Sequence, residues 1–443
     1  MANVLLLGNG FVAGPCLEQL VKSGNRVTVA SRDKVHSQRL LRTNVTAISL
    51  NVMDHDALVT VFAQHDIVIS LIPYTLHARV IRAAIVAKRN VVTTSYVSPE
   101  MQSLDQQCKD AGITVFNEIG VDPGIDHLYA IKTIDEVHRA NGKIIDFLSY
   151  CGGLPAPECS NNPLGYKFSW SSRGVLLALR NDAKYWENGV IRETPGKLLM
   201  DIAKPIHIYP AFAFEGYPNR DSSPYTERYN IPECKNLIRG TLRYQGFPKF
   251  VKALVVLGFL NDAPLAHLAE SSPAITWSAV LAKAIDIETT DEQELAKHVL
   301  SKTGLSGEEG QRILAGLRWL GMFSQTNVHL RGNLLDTLCA TLEEKMQYEN
   351  DERDMVMLQH KFRIQWANGQ FETRTSTGLW FGVPGGNSAM ATTVGVPCAI
   401  AVQLILDGRI TKKGVLAPMT MEFVTPLIEE LEKAGIRMVE HIL

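Results

Sequence analysis

Short runs of apolar residues recur over roughly the first quarter of the chain: Asn3–Leu7, Arg26–Ala30, Val45–Leu50, Ile67–Leu71, Asn90–Thr94 and Ile113–Asn117. Runs of this length without polar alternation suit strands buried on both faces, and segments of helical or crossover length separate them. The pattern predicts an α/β fold, a Rossmann-type doubly wound parallel sheet, with its ligand chemistry at the carboxyl ends of the strands. Those ends read Gly8-Asn9-Gly10, Ser31-Arg32, Leu71-Ile72-Pro73-Tyr74, Thr93-Thr94-Ser95-Tyr96 and Glu118-Ile119-Gly120-Val121-Asp122-Pro123-Gly124.

Beyond Gly124 the period changes. Ile125, Leu128, Ile131, Ile134 and Val137 have helical spacing, with Asp126 near the start where a carboxylate favours the helix dipole, and this helix is expected to lead out of the nucleotide domain. Residues 143–246 mix a strand (Ile144–Tyr150) with glycine- and proline-rich loops, as a mixed α/β substrate domain would. From about 247 to 359 the pattern is helical, with Ile313, Leu317 and Leu320 on one face and Leu335, Leu338 and Leu342 on another, which predicts an all-helical insertion. Asn368-Gly369 between Lys361–Ala367 and Gln370–Ser376 predicts a hairpin, because both residues tolerate positive φ. The apolar run Cys398–Leu406 is too long for a typical strand and too short for a span, so it predicts a buried helix.

The first strand end carries the most specific chemistry. Gly8 permits a tight strand-to-helix turn, Gly10 lets backbone approach a pyrophosphate, and Ala13 lets helix and strand pack closely, so that Asn9, Phe11 and Val12 border a helix N-terminus facing phosphates. The second strand ends in Ser31-Arg32 where an acid would bind a ribose 2′-hydroxyl and repel a 2′-phosphate. A hydroxyl and a planar cation suit the phosphate, so the expected cofactor is NADP and not NAD. Asp33 would take the ribose role if the strand ended later. A two-glycine motif alone is weak; here it follows an apolar strand, opens a helix and precedes a second strand at the expected distance.

Charge removes several function classes. With 44 basic and 46 acidic residues, no run of like charge and no basic patch interleaved with aromatics, neither nucleic acid nor a membrane surface is an expected partner. The seven cysteines are odd in number and dispersed without CxxC spacing, which argues for reduced thiols, against a disulfide framework or zinc site, and for a cytoplasmic location. No metal is expected. At 443 residues the chain fits two or three domains.

Several motifs together resemble the saccharopine dehydrogenase family, and within it the glutamate-forming branch: Gly8-x-Gly10-Phe11-Val12-Ala13, Leu71-Ile72-Pro73-Tyr74, Thr93-Thr94-Ser95-Tyr96, Glu118-x-Gly120-x-Asp122-Pro123-Gly124-x-Asp126-His127, Ser149-Tyr150-Cys151-Gly152-Gly153-Leu154-Pro155, Asn219-Arg220-Asp221-Ser222 and Arg239-Gly240-Thr241-Leu242-Arg243. The resemblance runs essentially end to end. It implies a dinucleotide domain (1–124) completed by about 391–443, a substrate domain (125–246) continued by about 360–390, and a helical insertion (247–359). It further implies reduction by NADPH of the imine formed from 2-aminoadipate 6-semialdehyde and glutamate, giving saccharopine in lysine biosynthesis. The implied partners are these small molecules; oligomeric state stays open, a homodimer included.

The resemblance also sorts residues into roles. The cofactor set is Gly8, Asn9, Gly10, Phe11, Val12, Ser31, Arg32, Leu71, Thr93, Thr94, Gly120, Val121 and Asp122; Ser95, Arg220, Thr241, Leu242 and Arg243 match substrate-binding positions. Three carboxylates on saccharopine require fixed cations and hydrogen-bond donors if the site is buried. Candidates for proton transfer are Tyr96, Asp122 and Cys151, in a cleft between the strand ends and a facing loop, with His127 nearby in sequence. Asp122 equally suits a turn, Cys151 an inert buried thiol, Tyr96 a nicotinamide pocket wall and His127 a helix start. Two rivals stay open: an imine-reducing NADP enzyme acting on a polyamine aldehyde, and a non-catalytic NADP-sensing protein.

Overall fold

The computed structural model of the chain describes residues 1–32, 43–169 and 171–443, so Asp33 lies outside the described residues. In chain order the strands are β1 (Asn3–Leu7), β2 (Arg26–Ser31), β3 (Val45–Ser49), β4 (Ile67–Ser70), β5 (Asn90–Thr93), β6 (Thr114–Phe116), β7 (Lys143–Pro155), β8 (Ala183–Glu187), β9 (Val190–Thr194), β10 (Lys204–Ile206), β11 (Phe214–Pro218), β12 (Asn236–Tyr244), β13 (Asp354–Gln365), β14 (Phe371–Phe381), β15 (Gly414–Leu416) and β16 (Val439–Ile442). The chain forms two compact units: residues 1–145, 226–233 and 360–443, and residues 146–225 and 234–359.

Unit 1 holds a seven-stranded sheet of order β15-β6-β5-β4-β1-β2-β3, and every pairing is parallel. Apolar residues fill both faces because consecutive strand residues point to opposite sides. Leu5, Leu7, Val68, Val91 and Val115 join the core beneath the helices His55–Ala63 and His77–Ala87. On the other face Phe116 meets Phe423 of the helix Met421–Lys433 with ring centroids 5.2 Å apart. The order reverses between β1 and β4, so a crevice opens beyond their carboxyl ends at the topological switch point.

The run from Cys398 is the second half of an 18-residue helix, Ala389–Leu406. By length and apolarity alone it would cross a membrane, but it packs on the helix Ala13–Lys22 in unit 1. A Cβ at Gly395 would stand 2.7 Å from the Val12 carbonyl oxygen, which is why the two helices approach so closely there.

Three expectations change. The helix Ile125–Arg139 stays in unit 1, because its Tyr129 and neighbouring apolar residues are buried and it packs against Met421–Lys433. The helical segment starting at Phe247 ends at Lys345 and clusters with the mixed sheet of unit 2 as one unit, and β13 already begins at Asp354. The hairpin strands run to Gln365 and from Phe371, and of the Asn368-Gly369 pair only Gly369 is left-handed, at φ +83°. Its N–H donates to the Trp366 carbonyl, so the five-residue connection contains a four-residue turn, Trp366–Gly369, that ends in one left-handed glycine.

The second sheet has the order β10-β11-β12-β7-β13-β14-β16, with β8 and β9 attached beside β12; β7 and β13 each run through the division between the units. Within unit 2, β11 is antiparallel to β12, with Tyr217 opposite Thr241 and Glu215 opposite Arg243. β12 is parallel to β7, with Thr241 beside Cys151. Directly paired residues share a face and alternate residues return to it. Tyr217, Thr241, Arg243 and Cys151 therefore lie on one face of the sheet, and Leu242 on the other.

Candidate active site

At the switch point Gly8 sits at φ +103°, and a Cβ there would come within 2.7 Å of the Leu71 carbonyl oxygen; only glycine fits both demands. Gly10 differs: a Cβ there would meet nothing within 4 Å, so its bareness serves the open crevice and not internal packing. The helix Ala13–Lys22 begins just beyond, with no side-chain cap and no acidic residue in its first turn. Uncapped N–H groups at a positive dipole end suit a pyrophosphate. Asn9 Nδ2 donates to Ser31 Oγ at 3.3 Å, joining the glycine turn to the end of β2, and Arg32 beside it is exposed. The residues present fit a dinucleotide with a 2′-phosphate.

Further along the same edge, Thr93 at the end of β5 is buried and donates through Oγ1 to Asn117 at 3.0 Å, and Thr94 and Ser95 are half-buried. Tyr96 Oη donates to Asp122 Oδ1 at 2.7 Å, and both residues are partly accessible. Gly120, Val121 and Asp122 form the tight turn before the helix Ile125–Arg139: Gly120 N–H donates to the Pro123 carbonyl, and the Ile125 N–H returns to Gly120. Two of the three proton-transfer candidates thus form one hydrogen-bonded pair.

His127 stands apart from them in a cluster where it and Glu118 are fully buried and Arg228 reaches solvent. Its Nε2 lies 2.8 Å from Glu118 Oε2 and its Nδ1 2.7 Å from Tyr229 Oη. Arg228 donates through Nη2 to both Glu118 oxygens at 2.8 and 2.9 Å, and the Val97 N–H reaches Oε1 at 3.1 Å. Burial by itself would raise the Glu118 pKa; the hydrogen bond and charge of His127, the charge of Arg228 and the Val97 N–H overcome it and hold the carboxyl down at about 2. Sequence reasoning quoted Glu118 without giving it a role and missed Arg228, whose placement beside it depends on residues 226–233 folding back into unit 1.

In unit 2 the two arginines expected to meet substrate occupy different settings. Arg220 follows β11 and is exposed, with φ +54°. The Asn219 N–H donates to the Arg239 carbonyl, which puts Arg220 about five residues from Arg243 along β12, or roughly 16 Å at 3.3 Å per residue. Arg243 is only 7% exposed. Its guanidinium lies over the Tyr166 ring at 4.9 Å and near the Phe247 ring at 5.3 Å, and Nη1 donates to the Leu242 carbonyl at 2.7 Å. Among the described residues no carboxylate pairs with it, and its Nε and the buried Tyr217 hydroxyl lack hydrogen-bond partners. Leu242 contributes backbone here, since its side chain belongs to the opposite face. Cys151, nine-tenths buried beside Thr241, is on the Arg243 face. Tyr217 escaped the sequence reading because only the β11–β12 register reveals its neighbours.

The sheet order and the glycine turn define a Rossmann-type dinucleotide-binding protein, joined to a unit with a buried cation suited to an anionic ligand. Residues 4–116 match the saccharopine dehydrogenase NADP binding domain, and residues 120–436 match the saccharopine dehydrogenase C-terminal domain. The chain belongs to the saccharopine dehydrogenase family. It is 58% identical to saccharopine dehydrogenase (NADP+, L-glutamate-forming) of Pyricularia oryzae, over 100% of this chain and 99% of that one. The enzyme of the same name from Schizosaccharomyces pombe is 56% identical over the same shares of the two chains. The solved structure of apo saccharopine dehydrogenase (L-Glu forming) from Saccharomyces cerevisiae superimposes with a TM-score of 0.93 at 54% identity, covering 100% of both chains.

Proposed function

We propose that this chain is an NADP-dependent, glutamate-forming saccharopine dehydrogenase: it reduces the imine of 2-aminoadipate 6-semialdehyde and glutamate to saccharopine, reversibly, in lysine biosynthesis. The observation that carries the substrate reading is Arg243, a guanidinium more than nine-tenths buried with no carboxylate paired to it among the described residues. A buried cation left unpaired is costly unless a ligand anion completes it. A polyamine substrate would add cations where this site requires an anion. NADPH-linked turnover with saccharopine, compared with polyamine conjugates, is the direct test; turnover of the conjugates alone would overturn the reading.

NADP, when bound, exchanges a hydride with the carbon of the substrate's secondary amine. The chain's own residues do the rest. Gly8, Gly10 and the N-terminus of Ala13–Lys22 hold the pyrophosphate, and Ser31 and Arg32 the 2′-phosphate. Arg32→Ala is therefore expected to raise the NADPH Michaelis constant about tenfold, the order of one charge-assisted hydrogen bond, with little change for NADH. Equal losses with both cofactors, measured by initial rates, would show that Arg32 does not read the phosphate.

Arg243 and Arg220 hold carboxylates, with Ser95 and Thr241 as hydroxyl donors. The Tyr96 proton is committed to Asp122, so the phenol presents lone pairs to the site. It accepts a hydrogen bond from the substrate amine; in the oxidative direction the amine proton passes to Tyr96 Oη as the Tyr96 proton passes to Asp122, whose carboxylate is neutralised, and reduction returns both protons. Tyr96→Phe, Asp122→Ala and Cys151→Ser are each expected to lower kcat about 10–100-fold, a larger effect than any on cofactor affinity, because the substrate's amines share the proton work. Tyr96 and Asp122 act as one unit, so their double variant loses little more than either single one. Unchanged turnover and pH–rate profiles in all three would remove them from the chemistry.

A further inference from the structure

The helix His77–Ala87 begins with a histidine that sequence reasoning passed over, since a lone histidine in an amphipathic segment carries no signal. In the fold its imidazole is 1% exposed and bridges two neighbouring strand ends. Nδ1 lies 2.9 Å from Ser70 Oγ at the end of β4, and Nε2 lies 2.9 Å from Ser95 Oγ, two residues beyond β5. Burial lowers the His77 pKa to about 4, so near neutral pH the ring has one N–H and one lone pair.

Which nitrogen holds the proton follows from Ser70. That side chain is fully buried, and among the described residues its hydroxyl has no hydrogen-bond partner except His77. If Nδ1 carried the proton, Ser70 would accept it and bury its own hydroxyl hydrogen without an acceptor, which is unfavourable. Ser70 therefore donates to Nδ1, and Nε2–H donates to Ser95 Oγ. The Ser95 hydroxyl hydrogen is then directed away from His77.

We infer that His77 is a positioning residue: through the chain Ser70–His77–Ser95 it fixes the Ser95 hydroxyl as a hydrogen-bond donor to a carboxylate of the bound substrate. The inference rests on the reading that Ser95 contacts saccharopine. An apolar side chain of similar size would fill the same space but leave Ser95 free to turn its hydrogen elsewhere.

The test is a double-mutant cycle in the full-length protein with NADP bound, reading saccharopine affinity by fluorescence titration and NADP affinity separately. Ser95→Ala is expected to weaken saccharopine about tenfold, and His77→Phe by a similar factor, with NADP affinity unchanged. The double variant should lose no more than Ser95→Ala alone, which a merely structural role for His77 would not produce. His77→Gln, whose amide can accept from Ser70 and donate to Ser95, should recover most of the loss. Ser70→Ala should cause a smaller loss by unlocking the tautomer, and it serves if His77→Phe does not fold. Normal affinity in Ser95→Ala would overturn the substrate contact and the inference with it. A loss in Ser95→Ala with none in His77→Phe, or multiplying losses in the double variant, would overturn the positioning role and leave the Ser95 contact standing.

Discussion

Removing the Arg243 guanidinium is expected to cut saccharopine affinity by roughly 2–4 kcal/mol, or about 30- to 1,000-fold, and to leave NADPH binding near its original value. The size of the effect comes from burial. A solvated arginine exchanges water for ligand at small gain, whereas this one, stacked over Tyr166 and close to Phe247, cannot return to water when the ligand leaves. Its unpaired Nε and the Tyr217 hydroxyl on the same sheet face are further donors already stripped of solvent. Arg243→Lys should recover only part of the loss, because a point charge cannot reproduce a planar fork and lacks the same stacking. Arg220→Ala is expected to cost less, since Arg220 is exposed. Titration calorimetry with saccharopine and, separately, NADPH measures both arms. Near-normal saccharopine affinity in Arg243→Ala would remove the main reason to assign a multi-carboxylate substrate.

The second large effect is on stability. Glu118→Ala deletes the shared acceptor of His127, Arg228 and the Val97 N–H, all inside unit 1. Removing one partner of a buried charge pair typically costs about 3–5 kcal/mol; here His127 loses its carboxylate while fully buried and keeps Tyr229 and Asp126 beside it, whereas Arg228 can turn toward solvent. The same network sets a pH dependence. The folded-state pKa of Glu118, about 2, lies below its ordinary value of 4.5, so this contribution is fully present above pH 4.5 and lost as pH falls through 2. Urea titrations from pH 7 downward should show the wild-type protein losing stability across that window and Glu118→Ala losing correspondingly less of it. An alanine variant within about 1 kcal/mol of wild type at pH 7 would mean that the cluster is no more than a set of tolerated contacts.

The sheet of unit 1 was legible because its signals are local. Six apolar runs match β1 to β6 within a residue or two; β1, β4, β5 and β6 are buried along most of their length and leave little room for exposed polar residues, whereas Arg26 of β2 and Thr46 and Ser49 of the edge strand β3 are exposed. Gly8 and Gly10 were legible for the same reason: a left-handed turn and an open approach each exclude a side chain at a fixed offset from a strand end. The helix from Ala389 was only half seen, because Pro397 and the alanine- and threonine-rich stretch before it obscure a continuous apolar run.

The sequence by itself determined that a dinucleotide sheet is present, where its carboxyl ends lie and which residue types stand there, because spacing and backbone sterics act over a few neighbours. Tertiary structure decided which of those residues meet. His127 turned from a neighbour of the candidate acids into a partner of Glu118, and Tyr96 and Asp122, 26 positions apart, became one hydrogen-bonded pair. Tyr217 joined the Arg243 face through strand register alone. Such contacts depend on strand order, register and burial, and burial is what separates Arg243 from an ordinary solvated arginine and His77, held between Ser70 and Ser95, from an ordinary surface histidine.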